Sequence, residues 1–183
     1  MHKRLFIGII IAVCLSLSIP VVAAEFNLGG GYPLWGTHTD DDNNHFDGGW
    51  IGFASIDKRV EARKWLRYGL MYNYARIKMG VEETYLETHE WLTIHVLGPY
   101  AKPTWQMTER LKAFVTIGAG AMYVDGPIYG DELGIAGSVS AGFGLDITKH
   151  LGLSAQMLYV QGYTKHVEDI DYMVPVVTIS YRW

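Results

Sequence analysis

Tyr172-Met-Val-Pro-Val-Val-Thr-Ile-Ser-Tyr-Arg-Trp183 closes the chain, and its reading decides the fold. Side chains alternate along a strand. Met173, Pro175, Val177, Ile179, Tyr181 and Trp183 therefore share one face, and Val174, Val176, Thr178, Ser180 and Arg182 the other. The first face turns aromatic at its end, and the chain stops there. A strand leaving a lipid bilayer has this profile, because Tyr and Trp favour the membrane–water interface.

The opposite end agrees. Met1-His-Lys-Arg4 is basic, Leu5 to Val22 carries no charge, and Val22-Ala-Ala24 offers small residues before Glu25. This is the pattern of a cleaved secretory signal peptide, residues 1–24. An uncleaved anchor is the alternative; Cys14, inside the apolar run, does not make a lipoprotein signal. The expected mature chain, Glu25 to Trp183, has 13 Lys and Arg against 19 Asp and Glu, and no Cys. That excludes a disulfide framework and a thiol nucleophile, and the acidic balance argues against nucleic acid as partner. No later stretch approaches the roughly 18 uncharged residues of a spanning helix. A membrane protein without such helices must close its sheet, because lipid cannot satisfy free backbone groups.

Eight strand-like segments follow. The first, about Glu25–Trp35, has Phe26, Leu28, Tyr32 and Leu34 on one face; the second, about Trp50–Asp57, has an ambiguous facing. The third, about Trp65–Ala75, turns Leu66, Tyr68, Leu70, Tyr72 and Tyr74 outward and Arg67, Gly69, Met71 and Asn73 inward. The fourth, about Trp91–Trp105, is read with Leu92, Ile94 and Val96 outward and with its far half bulged at Pro99 and Pro103. The fifth (about Leu111–Val124), sixth (Leu133–Ile147), seventh (Leu151–Tyr159) and terminal segments alternate cleanly, apolar residues opposite Gly, Ser, Gln or Asp. Charges are scarce on both faces at mid-strand, which suits an apolar lipid face around a small polar lumen. The fold class is therefore all-β: an eight-stranded antiparallel up-and-down transmembrane β-barrel over residues 25–183.

The connections alternate in kind. Thr37–Gly49, Arg76–Glu90, Asp125–Glu132 and Thr164–Asp171 are long or charged; Lys58–Lys64, Gln106–Arg110 and Thr148–His150 are shorter. Short periplasmic turns and longer outer loops are the asymmetry of this class, and an even strand number returns both termini to the periplasm. Tyr32, Tyr72, Tyr74, Trp91, Tyr123 and Tyr159 then fall near the outer rim, and Tyr68, Trp105, Tyr181 and Trp183 near the inner rim, as membrane-interface anchors.

The terminal strand resembles the C-terminal assembly signal of bacterial outer-membrane barrels. Lys112-Ala-Phe-Val-Thr-Ile-Gly-Ala-Gly-Ala-Met-Tyr123 with Ser138-Val-Ser-Ala-Gly-Phe-Gly-Leu145 is similar to the penultimate hairpins of the small OmpA/OmpX-type barrels, and also to the lipid A 3-O-deacylase family. The second resemblance would imply a Ser hydrolase with a His-x-Ser-Asn motif on strand seven. Here the stretch reads Met157-Leu-Tyr-Val-Gln-Gly162, with Leu158 in place of the His and Val160 in place of the Ser. Neither can act as base or nucleophile, so no catalytic residue is assigned.

His38, His45, His89 and His166 fall in or beside the expected outer loops, and Asp40, Asp42 and Asn44 resemble the start of a calcium loop. His45 stands where the turn Gly belongs and no bidentate Glu follows, so the loop reads as solvated, with a weak Ca²⁺ site the alternative and no cofactor otherwise.

Inside the barrel, Arg67, Lys112, Asp146 and Arg182, with Asp57 a further candidate, map near the periplasmic end. Buried charges of both signs should pair and plug the lumen, a gated pore being the alternative. Higher up, Gly118, Gly120, Ser138, Ser140 and Gly142 line one wall, to be filled by Met71 and His95 or to leave a pocket for an acyl chain.

The expected function is that of a non-enzymatic outer-membrane barrel with acidic outer loops, acting in surface binding, adhesion or envelope integrity. Lipid, lipopolysaccharide and the barrel-assembly machinery are the expected partners of a monomer. A lipid A-modifying enzyme and a passage for small apolar molecules are the alternatives.

Overall fold

The computed structural model describes residues 24–38, 45–83, 86–126, 130–165 and 169–183. The Asp40/Asp42/Asn44 loop and residues 1–23 of the expected signal peptide lie outside them. Nine antiparallel strands follow in order: β1 (Ala24–Gly31), β2 (Trp35–His38), β3 (His45–Val60), β4 (Arg63–Glu83), β5 (Leu86–Gln106), β6 (Leu111–Gly126), β7 (Gly130–Asp146), β8 (Leu151–Thr164) and β9 (Ile170–Arg182). Strands β1 and β2 each pair with β3 on one side and β9 on the other, so they form one stave. The sheet closes on itself as eight up-and-down staves, which leaves no open edge.

The composite stave is where the expected continuous first strand differs from the fold. Its two halves keep one register against β3 (Gly31↔Ile51, Thr37↔His45) but shift by one residue against β9, from Gly31↔Val176 to Trp35↔Met173. Pro33 sits in the break and cannot donate to a ladder; Leu34 N–H resumes the bonding to Met173 O at 3.0 Å. A second irregularity separates Phe46 and Gly48 on β3, where Gly48 and Gly49 take φ of +138° and +148°. That conformation favours glycine.

The outward faces of β4, β6, β7, β8 and β9 follow the sequence pattern, with Ile117, Leu133, Ile135, Phe143, Val177 and Ile179 among the exposed apolar side chains. On β3 the ambiguity resolves: Ile51, Phe53, Ser55 and Asp57 are buried inside. Strand β5 is inverted relative to expectation. Leu92, Ile94 and Val96 are fully buried toward the lumen, which puts His95 on the outer face. The prolines cause no bulge either, since β5 holds one register with β4 from Leu66↔Pro103 to Glu83↔Leu86, and with β6 from Thr93↔Asp125 to Gln106↔Lys112. The long connection expected between Arg76 and Glu90 is instead mostly ladder, because β4 runs to Glu83 and β5 begins at Leu86.

The inverted β5 reveals why a uniformly small, polar lumen was the wrong expectation. In the half near the long connections the interior is apolar, with Ile77, Leu92, Ile94, Met122, Leu158 and Tyr172 among its buried side chains. Both faces of β5 are apolar there, so alternation cannot tell lipid from lumen. Below lies a polar belt: Thr116 Oγ1 and Ser140 Oγ are 2.5 Å apart, Ser140 donates to Gln156 Oε1 at 2.8 Å, and Tyr100 donates to Ser55 at 3.2 Å. Charges occupy the short-turn end.

Candidate functional site: the charged mouth at the short-turn end

Alternation places each charge. Phe26 and Leu28 face outward, so Glu25 must face inward; Tyr181 and Trp183 outward leave Arg182 inward. The ladder then joins them, since Glu25 pairs with Arg182 on β9 and with Asp57 on β3. Glu25 is 1% exposed. Its carboxylate lies 2.6 Å from Arg182 Nε, 3.4 Å from Lys102 Nζ, 3.7 Å from Lys112 Nζ and 3.8 Å from Arg67 Nη2.

Two more carboxylates complete the group. Asp57 accepts from Arg67 Nε and from Tyr100 at 2.5 Å, and lies 3.8 Å from Lys102. Asp146 accepts from Arg182 Nη2 and lies 3.4 Å from Lys112. Asn27 ties the cluster to the polar belt by donating to Ser55 at 3.1 Å and Asp57 at 3.3 Å. In total four cations face three carboxylates, most of them well buried. Removing charges from water is costly unless each finds a partner, and here nearly every oxygen has one.

The structure thus brings together Arg67, Lys112, Asp146 and Arg182, the four residues singled out from sequence, with Asp57. It adds Glu25 and Lys102. Glu25 was legible from the outward Phe26 and Leu28; Lys102 was hidden by the same phase inversion that misplaced His95.

The residues read as a lumen pocket divide. Met71 fills the space beside Gly118, where a Cβ would lie 2.4 Å from Met71 Cε, and Ser138 Oγ donates to Met71 Sδ at 3.6 Å. Ser140 belongs to the polar belt. Gly120 and Gly142 lie where an added Cβ would strike neighbouring backbone, at 2.2 Å from Leu97 O and 2.3 Å from Ala155 O. His95 is a correction: its ring lies among Tyr72, Tyr74 and Tyr123 on the outer face, with Nδ1 2.7 Å from Tyr72 Oη. It belongs to a rim cluster that also holds Trp50, 4.8 Å from the Tyr74 ring.

Tyr32, Tyr68, Tyr181 and Trp183 are exposed, while Tyr159 is half-buried and donates to Asp171 at 3.3 Å. Leu158 and Val160, the positions compared with the deacylase His and Ser, are buried aliphatics of the lumen.

Two concavities accompany this arrangement. One, of about 510 Å³, is a shallow apolar trough on the outer wall bordered by Trp105, Phe143, Met157 and Val177. The other, of about 310 Å³, opens below the ion cluster and is lined by Arg59, Lys64, Trp65, Lys112 and Arg182 with Glu25 and Asp146.

The barrel closes with eight staves, an apolar outer wall and both described chain ends at the short-turn mouth. Its fold is that of the small OmpA/OmpX-type outer-membrane barrels. Among solved structures, Neisserial surface protein A superposes with a TM-score of 0.66 at 14% identity, over 88% of this chain and 97% of that one. Ail of Yersinia pestis, in complex with the heparin analogue sucrose octasulfate, gives 0.54 at 15% identity, over 88% and 98%. OprG of Pseudomonas aeruginosa gives 0.53 at 10% identity, over 87% and 96%. No family model and no curated protein matches the sequence. At these identities the likeness to the OmpA/OmpX-type barrels is one of fold.

Proposed function

We propose that the protein is a non-catalytic, monomeric barrel of the bacterial outer membrane with a plugged lumen, acting through its exposed rim in surface binding, adhesion or envelope integrity. What supports this reading is the succession of buried side chains along the described interior: apolar ones, then a hydrogen-bonded belt, then the ion cluster. An eight-stranded barrel has an interior just wide enough for side chains, so ions and solutes have no through-path. Function then falls to the surfaces at either end and to the lipid-facing wall.

The short turns and chain ends lie in the periplasm, the tyrosines near Tyr74 and Tyr123 in the outer girdle, and Tyr68, Tyr181 and Trp183 in the inner one. Phospholipid, lipopolysaccharide and the assembly machinery engaging β9 are the partners this placement implies. Ail, crystallised with a sulfated heparin analogue, supports the choice of surface binding.

Conductance tests the proposal. The purified barrel in planar bilayers should show no stepwise current, and clipping the long connections should abolish binding of whole cells to host or abiotic surfaces while leaving the barrel folded. Regular single-channel steps from the folded protein would sink the plug. Altered lipid A on overexpression, seen by mass spectrometry, would sink the non-catalytic reading.

A further inference from the structure

The cavity of about 310 Å³ at the short-turn mouth has a charge that its own residues leave unbalanced. Five cations line it, Arg59, Lys64, Arg67, Lys112 and Arg182, against two carboxylates, Glu25 and Asp146. Including Lys102 and Asp57 behind them preserves the excess. The buried part alone has four cations sharing three carboxylates. Arg59 and Lys64, on either side of the β3–β4 turn, have no carboxylate within ion-pair distance among the described residues. They extend the surplus from the buried cluster to the opening.

The whole rim shares this sign. The full chain has 15 Lys and Arg against 19 Asp and Glu, yet the short-turn end reverses that balance. Among the described side chains, Lys58, Arg63, Arg110 and Lys149 join the cations there, and Glu61 and Glu109 join the acids. A concave wall with an excess of one charge focuses potential and concentrates counter-ions. Trp65 forms one side of the cavity and gives it a flat, apolar wall beside the charges.

We infer that this mouth is a binding site for a compact phosphate-type oxyanion, held between Arg59 and Lys64 at the opening and Lys112 and Arg182 at the floor. Arginine suits such a ligand because its planar fork meets two oxygens at once, and lysine adds a point charge. The cavity takes one headgroup-sized anion and is too small for acyl chains as well. The same chemistry is offered by a soluble phosphate and by the headgroup of an anionic phospholipid reaching over the rim. The ion cluster forms the floor of this site, and the Trp65 readout reports binding there whether or not the lumen above conducts.

Trp65 supplies the readout. The full barrel is placed in neutral phosphatidylcholine nanodiscs and titrated with inorganic phosphate and pyrophosphate, and the fluorescence change of the wild type is compared with that of Trp65→Phe. A saturable change that disappears in Trp65→Phe is expected. Arg59→Ser with Lys64→Ser removes both cations at the opening and should weaken half-saturation roughly thirtyfold. Arg110→Ser with Lys149→Ser removes equal charge from turns outside the cavity and should change it by less than about threefold. Both pairs lie at exposed positions, and heat-modifiable migration checks that each variant folds.

A second arm replaces part of the neutral lipid with phosphatidylglycerol. If the Trp65 signal is already shifted and added phosphate no longer titrates, the ligand is a lipid headgroup. If phosphate still titrates as before, it is a solute. Equal weakening by both charge pairs, or no saturable Trp65 response in either lipid, would overturn the site.

Discussion

Glu25→Gln is the most exacting test of the ion cluster. The carboxylate is 1% exposed and lies within 3.8 Å of four cations, the nearest at 2.6 Å. Gln keeps the shape and one acceptor but removes the charge. Arg67 and Lys102 retain Asp57, and Lys112 and Arg182 retain Asp146, so four cations would share two carboxylates. Breaking a buried pair by removing one partner costs about 3–5 kcal/mol. The remaining acids shield part of the loss, which places the expected cost near the lower bound, about 3 kcal/mol. Reversible urea unfolding in detergent micelles or lipid vesicles, followed by tryptophan fluorescence, measures it. Arg182→Gln and the double variant complete a cycle, and the double should cost about 1–3 kcal/mol less than the sum, because each single change strands the other charge. A loss below about 1 kcal/mol for Glu25→Gln, the range of solvated surface pairs, would refute the claim that this cluster is buried and mutually paired.

Other perturbations probe the remaining layers. Gly118→Val should cost about 1–3 kcal/mol by overpacking against Met71, and Met71→Ala in the same chain should recover part of it, since the new Cβ would meet Met71 Cε at 2.4 Å. Leu158→Ala should cost about 2–5 kcal/mol in the same unfolding assay if the upper lumen is a packed apolar core; a change confined to a few tenths would mean a wet interior. Asn73→Leu should be neutral or stabilising by about 1 kcal/mol, because both polar atoms of Asn73 are fully buried without a protein partner. Deleting Tyr181–Trp183 should abolish heat-modifiable migration and membrane integration, because it removes the end of the β1–β9 seam at Phe26↔Tyr181 and Glu25↔Arg182; normal folding of that truncation would contradict the role given to the terminal strand.

The parts of this fold that were legible in the sequence are those where the two faces differ in kind. On β7, Leu, Ile, Val and Phe alternate with Gly and Ser, and a one-residue change of phase would be visible at once. Strand β5 has no such contrast: Leu92, Ile94 and Val96 are apolar inside, while Trp91, His95 and Leu97 lie on the other face. Hydrophobicity separates lipid from lumen only where the lumen is polar, and the apolar upper half defeats it. That one inversion misplaced His95 and concealed Lys102. The break at Pro33 was hidden for another reason: a shift of register against β9 alone depends on a partner far along the chain, which local alternation cannot report. The charged site was recoverable because an inward charge in a membrane strand is costly enough to be rare.

The bond from Arg182 to Glu25 joins residues 157 positions apart, across the seam between the last stave and the first. It acts as a parity check on closure. Sliding β9 by a single residue would turn Arg182 to the hydrocarbon side and bring Tyr181 into the lumen, because the side-chain period is two. Glu25 would lose its nearest cation at the same moment. A chain that has reached the correct topology in the wrong register is therefore marked by an uncompensated carboxylate at the seam.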